Sequence, residues 1–107
     1  MISKEDFLKG NWWLVIAKYP VACDASIKEV IESEEDPTLE SSYANELIEE
    51  CVDSFGYLDS PDIDEGDKDQ WEDWYEQQLG EIELEATKIN EEVIDEYGIE
   101  WLNSYLA

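Results

Sequence analysis

The chain has 107 residues, enough for one domain with one hydrophobic core, and its 30 Asp and Glu against six Lys give a formal net charge of -24. Small domains usually carry a net charge of magnitude about 2–8. Because the chain contains neither Arg nor His, it lacks the side chains on which most general-base, metal and phosphate chemistry depends, and we expect a protein that is not an enzyme and uses no cofactor.

The charge is unevenly distributed along the chain. Residues 1–28 contain three acids and four lysines, whereas residues 29–107 contain 27 acids and two lysines. Five Trp, six Tyr and two Phe distinguish the chain from a disordered acidic tail, which would lack aromatic residues. The sequence therefore predicts a single domain over residues 1–107, in which residues 1–28 form a near-neutral core segment and residues 29–107 an acidic helical surface.

The N-terminal segment contains two predicted elements. Ser3 can cap a short helix from Lys4 to Leu8, which ends at Gly10. The stretch Trp12–Tyr19 is apolar except at Lys18, so its periodicity is compatible with either a buried helix or a strand. Pro20 ends it in both cases.

Two helices are predicted in the middle of the chain. Ile27, Val30 and Ile31 share one face of a helix that begins at position 24 or 26 and ends near position 33. Ser41 or Ser42 can cap the next helix, which ends at Gly56. Its apolar positions recur at intervals of three and four: Tyr43, Leu47, Ile48, Cys51, Val52 and Phe55.

The clearest periodicity covers residues 68–97, after a predicted loop at residues 57–67. Apolar residues recur there at steps of three and four, and Gly80 can bend or split the helix. Gly98 ends the helix, and residues 99–106 add a last helical turn or two. The predicted fold is mostly α: a small single-domain helical bundle with one long acidic C-terminal helix, and with a short strand left open near residues 12–19. The apolar stripe of the long helix consists of Trp71, Tyr75, Leu79, Ile82, Ala86, Ile89 and Val93.

The opposite side of the long helix is predicted to be an acidic binding face. Like charges four residues apart cost a helix a few tenths of a kcal/mol each, so a sequence shaped only for folding would place cations among them, and here only Lys88 is present. Trp74 lies off the apolar stripe, where it can stack on an arginine of a partner. The carboxylates of this face are Asp69, Glu72, Asp73, Glu76, Glu83, Glu91, Glu92 and Asp95. The preceding loop adds Asp62, Asp64, Glu65 and Asp67.

Such a face has the character of a nucleic acid backbone. Duplex DNA carries one negative charge per ~1.7 Å of axis, and carboxylates one helical turn apart on adjacent elements approach that spacing. In charge, size and its acidic stretch 29–100, the chain resembles the DNA-mimic inhibitors of bacteriophages and mobile elements, which block restriction enzymes or CRISPR effector complexes. The resemblance implies a stoichiometric inhibitor that binds a Lys- and Arg-rich groove, contacts no nucleic acid itself, and acts in the cytoplasm of the infected bacterial host.

Other functions remain open at the level of sequence. An immunity protein or antitoxin that neutralises one basic toxin would also be acidic, and a housekeeping or halophilic protein can be acidic without a partner. A calcium loop with Gly66 at its sixth position would place Glu72 at the twelfth, but Pro61 and Ile63 would occupy positions that require oxygen ligands. The sequence also leaves open whether two copies form a homodimer.

Two expectations concern the surroundings of the protein. The apolar stretch at residues 12–17 is far shorter than the ~20 residues that a membrane span requires, so no membrane partner is expected. Cys23 and Cys51 form no disulfide framework and are interpreted as reduced, buried thiols.

Overall fold

The computed structural model describes residues 1–56 and 66–106, which form a three-stranded antiparallel sheet with helices packed on both faces. The strands are β1 (Trp12–Tyr19), β2 (Ala25–Glu32) and β3 (Glu83–Lys88), and β1 lies between β2 and β3. A short 3-10 turn at Pro37–Leu39 precedes the second helix. The helices are α1 (Lys4–Lys9), α2 (Ser41–Phe55), α3 (Lys68–Glu81), α4 (Glu91–Tyr97) and α5 (Ile99–Ser104).

The predicted helical bundle with one long C-terminal helix is wrong, because residues 68–97 form a helix, a strand and a second helix. α3 ends at Glu81, directly after Gly80, and β3 follows. The β3 sequence alternates, so that Leu84 and Ala86 pack on one side of the sheet while Glu83 and Glu85 are exposed. Asn90 then starts α4, because its side-chain oxygen accepts a hydrogen bond from the backbone N–H of Val93 at 3.0 Å.

The helix predicted near residues 24–33 is also wrong, since this segment is β2. Ile27 and Ile31 pack on one face of the sheet and Val30 is buried on the other. A strand covered on both faces buries residues of both parities, so it lacks the alternation that reveals a half-exposed strand. The strand alternative at Trp12–Tyr19 is confirmed.

Three predicted helices are confirmed. The Ser3 hydroxyl accepts a hydrogen bond from Asp6 N at 3.3 Å and caps α1. α2 ends at Gly56 as expected, but it begins after Glu40, which makes no side-chain capping bond, so the predicted serine cap is wrong. α5 forms the last helical turns, and Gly98 before it has a φ of 91°, a conformation that favours glycine.

One face of the sheet packs against α2 and α3, and we call this side the α2–α3 layer. Val15, Ala17 and Tyr19 of β1 are fully buried there against Leu47 and other residues of α2. Gln78 of α3 is a buried polar residue, and its side-chain oxygen accepts a hydrogen bond from the Tyr19 hydroxyl. This bond ties α3 to the central strand.

The other face packs against α1, α4 and α5, and we call this side the α1–α4–α5 layer. Phe7, Leu14, Val30 and Leu102 are buried together there. Each fully buried side chain of this size contributes about 1.5–3 kcal/mol to stability. The protein therefore has two small hydrophobic clusters that share one sheet.

The two ends of the chain are joined by Asn103. Its side-chain oxygen accepts from Ile2 N at 2.6 Å, and its amide nitrogen donates to Ile2 O and Ile99 O at 2.9 Å each. Nearby, Val30 N donates to Tyr105 O at 2.7 Å, so the C-terminal residues also pair with the outer edge of β2. These bonds hold α5 against the sheet.

The two cysteines differ in environment. Cys51 of α2 is buried, with Sγ 3.9 Å from Ala17 O, and burial, followed by the charge of Glu50, raises the pKa of its thiol. Cys23 lies in the turn between β1 and β2 and is exposed, so the expectation that both thiols are buried is wrong for this residue. Its φ of 58° is in the left-handed region, which costs a non-glycine residue free energy.

Candidate functional site

Four of the predicted site carboxylates form an exposed row on α3. Asp69, Glu72, Asp73 and Glu76 are all exposed. Asp67 caps the helix, with its side chain accepting from Gln70 N at 3.2 Å. The predicted Asp62, Asp64 and Glu65 lie outside the described residues.

The remaining predicted carboxylates do not lie on the same helix as this row. Glu91, Glu92 and Asp95 belong to α4, which packs against the opposite face of the sheet. Glu83 pairs with Lys18 in the sheet register, and its neighbour Glu85 pairs with Ile16, whose side chain packs into the α1–α4–α5 layer. The predicted single acidic face is therefore wrong: its residues are divided between the two sides of the molecule.

The two sides of the molecule differ in whether their carboxylates are paired with lysines. Lys4 Nζ lies 3.5 Å from Glu91 Oε1 and 3.9 Å from Asp95 Oδ1. Lys18 Nζ lies 2.7 Å from Glu85 Oε2, and this hydrogen bond and its charge raise the pKa of Lys18. All three contacts belong to the α1–α4–α5 layer. In the part of the chain that the structure describes, no ion pair involves an acidic side chain of α2 or α3.

The acidic side of α2 was not predicted from the sequence. The exposed carboxylates there recur at steps of three, one and three, a spacing that gives one continuous helical side. This spacing of carboxylates was present in the same segment whose apolar periodicity predicted the helix. These residues are Glu46, Glu49, Glu50 and Asp53.

A contact between α2 and α3 joins their acidic sides into one surface. The Tyr75 hydroxyl donates to Asp53 Oδ1 at 3.3 Å. Burial raises the pKa of Tyr75, and the charge of Asp53 and the hydrogen bond to it contribute in the same direction. We call the exposed carboxylates of α2 and α3 together the acidic α2–α3 surface.

An aromatic pocket lies beside this surface. Its volume is about 380 Å³, and α3 contributes Trp71, Glu72, Trp74, Tyr75 and Glu76 to its lining. The rings of Trp71 and Trp74 meet edge to face, with centroids 5.7 Å apart and planes at 90°. The three aromatic residues are half-buried, so they neither belong wholly to the core nor stand free in solvent.

A close approach between α2 and α3 fixes the position of one of these rings. A Cβ atom placed on Gly56 would lie 3.2 Å from Cη2 of Trp74, so the glycine at the end of α2 lets the indole approach closely. Trp74, which was predicted to lie off the apolar stripe, is partly buried, and Asp73 next to it is exposed.

Two further features concern metal ligands and membrane spans. Among residues 1–56 and 66–106, no group of three or more Cys, Asp or Glu side chains is arranged to hold a metal ion. The first five positions of the calcium loop that the sequence suggested, residues 61–65, lie outside these residues. No helix in the described part of the chain has the length and apolar character needed to cross a membrane.

No protein-family model matches this chain, and neither a curated protein nor a solved structure shows detectable similarity to it.

Proposed function

We propose that this protein is a stoichiometric blocker that presents its acidic α2–α3 surface to the Lys- and Arg-rich groove of a nucleic-acid-binding protein. The observation that carries the proposal is the lack of compensation on this surface. Its carboxylates are exposed, and in the described part of the chain they form no ion pair, whereas the opposite layer contains three lysine–carboxylate contacts. A basic partner would relieve the repulsion that the free protein carries.

The shape of the molecule supports mimicry of duplex DNA. Its Cα atoms extend over 53 × 24 × 19 Å, and the 26 Asp and Glu of the described residues correspond to one carboxylate per about 2 Å of the 53 Å axis. Duplex DNA has one phosphate charge per ~1.7 Å. A protein of this charge density would compete for a phosphate-binding groove, would associate quickly, and would be released by salt.

The class of target follows from the resemblance to phage and mobile-element inhibitors. A restriction enzyme or a CRISPR effector complex has a long basic groove that accepts a duplex, and blocking it would protect the invading DNA. The proposed site of action is therefore the cytoplasm of the infected bacterial host.

A second candidate function is that of an immunity protein for one basic toxin. The aromatic pocket on α3 favours it, because compact protein interfaces concentrate their binding energy in a few Trp, Tyr and Arg residues. Both functions require a basic partner, and they differ in whether duplex DNA competes for the same surface.

Retention of bacterial proteins on the immobilised chain tests the proposal. At low salt, we expect a basic nucleic-acid-binding complex to be retained and to be displaced by duplex DNA, as mass spectrometry of the eluate would reveal. Retention of a single basic toxin that DNA does not displace would instead favour the immunity function. If no basic protein is retained, both functions are refuted.

Two matched variants test which surface binds. Each replaces four acids by their amides and changes the net charge equally. If both variants lose retention to the same degree, the assignment to the α2–α3 surface is wrong. We expect loss only with the first set, D69N, E72Q, D73N and E76Q on α3, and not with the second, E91Q, E92Q, D95N and E96Q on α4.

A further inference from the structure

The pocket on α3 combines aromatic rings with carboxylates at its edge. Glu72 and Glu76 lie one helical turn apart, are exposed, and line the same cavity as Trp74 and Tyr75. We infer that this pocket receives an arginine side chain of the basic partner, an inference that rests on the proposed function and assigns the residue type at the centre of the contact.

The aromatic part of the pocket suits a flat cation. The ring planes of Trp71 and Trp74 are perpendicular, so each ring presents a differently oriented surface next to the cavity. A guanidinium group stacks on the face of an indole and is attracted by the negative charge of the ring face. The volume of about 380 Å³ has room for one long side chain.

The carboxylates select the charge and the shape of the occupant. Glu72 and Glu76 form no ion pair in the described part of the chain, and like charges at this spacing repel. A guanidinium bound between them would remove this repulsion and can donate to both at once. An ammonium group is a point charge that is strongly hydrated and cannot stack in the same way, so arginine is favoured over lysine.

The pocket is held in position by α2. The hydrogen bond from Tyr75 to Asp53 and the close approach of Trp74 to Gly56 restrict the two rings before any partner arrives. An occupant would therefore bind without ordering these side chains, which reduces the entropic cost of association. These contacts distinguish the pocket from an exposed acidic helix, whose side chains would remain free.

Peptide binding to the full chain tests the inference. The probes are an arginine-only and a lysine-only oligopeptide of equal length, and tryptophan fluorescence and calorimetry at low and physiological ionic strength give the affinities. We expect the arginine peptide to bind about fivefold or more tightly than the lysine peptide. Equal affinities for the two peptides would overturn the inference.

A matched pair of double variants locates the site. E72Q/E76Q removes the two carboxylates of the pocket, and E46Q/E50Q removes two exposed carboxylates of α2 with the same spacing. We expect the first to lower the affinity for the arginine peptide about tenfold and to abolish the preference for arginine, and the second to lower both affinities about threefold or less and to preserve the preference. Circular dichroism would establish that both variants remain folded.

The results separate this inference from the proposed function. If both double variants lose affinity equally while a basic complex is still retained through α3, arginine is not bound in the pocket and the blocker function stands. If the arginine preference depends on Glu72 and Glu76 but no basic protein is retained from the lysate, the pocket is a genuine guanidinium site and the blocker function is wrong.

Discussion

Asn103 offers the sharpest test of how the fold is held together, because its side chain makes three hydrogen bonds, two of which join the two ends of the chain. Each such bond contributes about 0.5–1.5 kcal/mol, and the half-buried position favours the lower part of that range. Replacement by alanine recovers roughly half a kcal/mol of helix propensity. We therefore expect Asn103→Ala to lower the free energy of unfolding by about 1–2.5 kcal/mol.

Asn103→Asp should cost more than the alanine variant, although it changes the shape of the side chain very little. The aspartate loses both amide donors and places a charged oxygen against Ile2 O and Ile99 O, near the C-terminus of α5, where a negative charge is unfavourable. We expect a loss of about 2–4 kcal/mol. Urea denaturation followed by circular dichroism would measure both variants.

The control for the added charge is Gln77→Glu, at an exposed position of α3. It should change the free energy of unfolding by less than about 0.5 kcal/mol. If the aspartate variant at position 103 is as stable as the alanine variant, or if its effect equals that of the control, the assigned hydrogen bonds do not hold the ends together.

Three further predictions concern glycine, the thiols and alkaline pH. Gly10→Ala would place Cβ 2.7 Å from the packed Trp12 indole and should lower the free energy of unfolding by about 1–3 kcal/mol. Gly80→Ala, in open space on α3, should raise it by up to ~1 kcal/mol. Equal effects of the two variants in urea denaturation would contradict this prediction. An aromatic disulfide reagent should modify the exposed Cys23 at once and the buried Cys51 only when the chain opens, and equal rates would count against the described burial. Burial first, and then the charge of Glu29, raises the pKa of Tyr43, and burial raises the pKa of Cys51. The unfolded state therefore loses these protons at a lower pH than the folded state, and the free energy of unfolding should fall as pH rises through about 9–11. Tyr43→Phe should reduce this pH dependence, and an unchanged pH dependence would argue against the burial of the Tyr43 hydroxyl.

The helices that pack on one side only could be predicted from the sequence, whereas β2 and β3 could not. α2 has a single buried side, so its apolar residues repeat at the helical period, and its prediction is confirmed. β2 is covered on both faces, and Ile27 and Ile31, four residues apart, satisfy a helical and a strand spacing equally well. In β3, the stripe from Ile82 to Ala86 omitted Leu84, whose inclusion would have revealed the alternation of a strand.

The candidate site was predicted in part. The row from Asp69 to Glu76 lies on one exposed helical side because α3 is a true helix over those residues. Glu91 and Asp95 lie on the opposite side of the molecule from this row, because α3 ends at Glu81 and the chain crosses the sheet through β3 before α4 begins. The spacing of apolar residues along the chain cannot reveal such a crossing, because the crossing depends on which residues pair with β1.

The hydrogen bonds between Ile2 and Asn103 also determine how the protein can be handled in the proposed experiments. Both ends of the chain lie in the α1–α4–α5 layer, and so do Lys4 and Lys18. A tag fused to either end would hold the molecule by that layer. The acidic surface and the pocket on α3 would then point away from the support, so immobilisation through a terminal tag leaves this surface free.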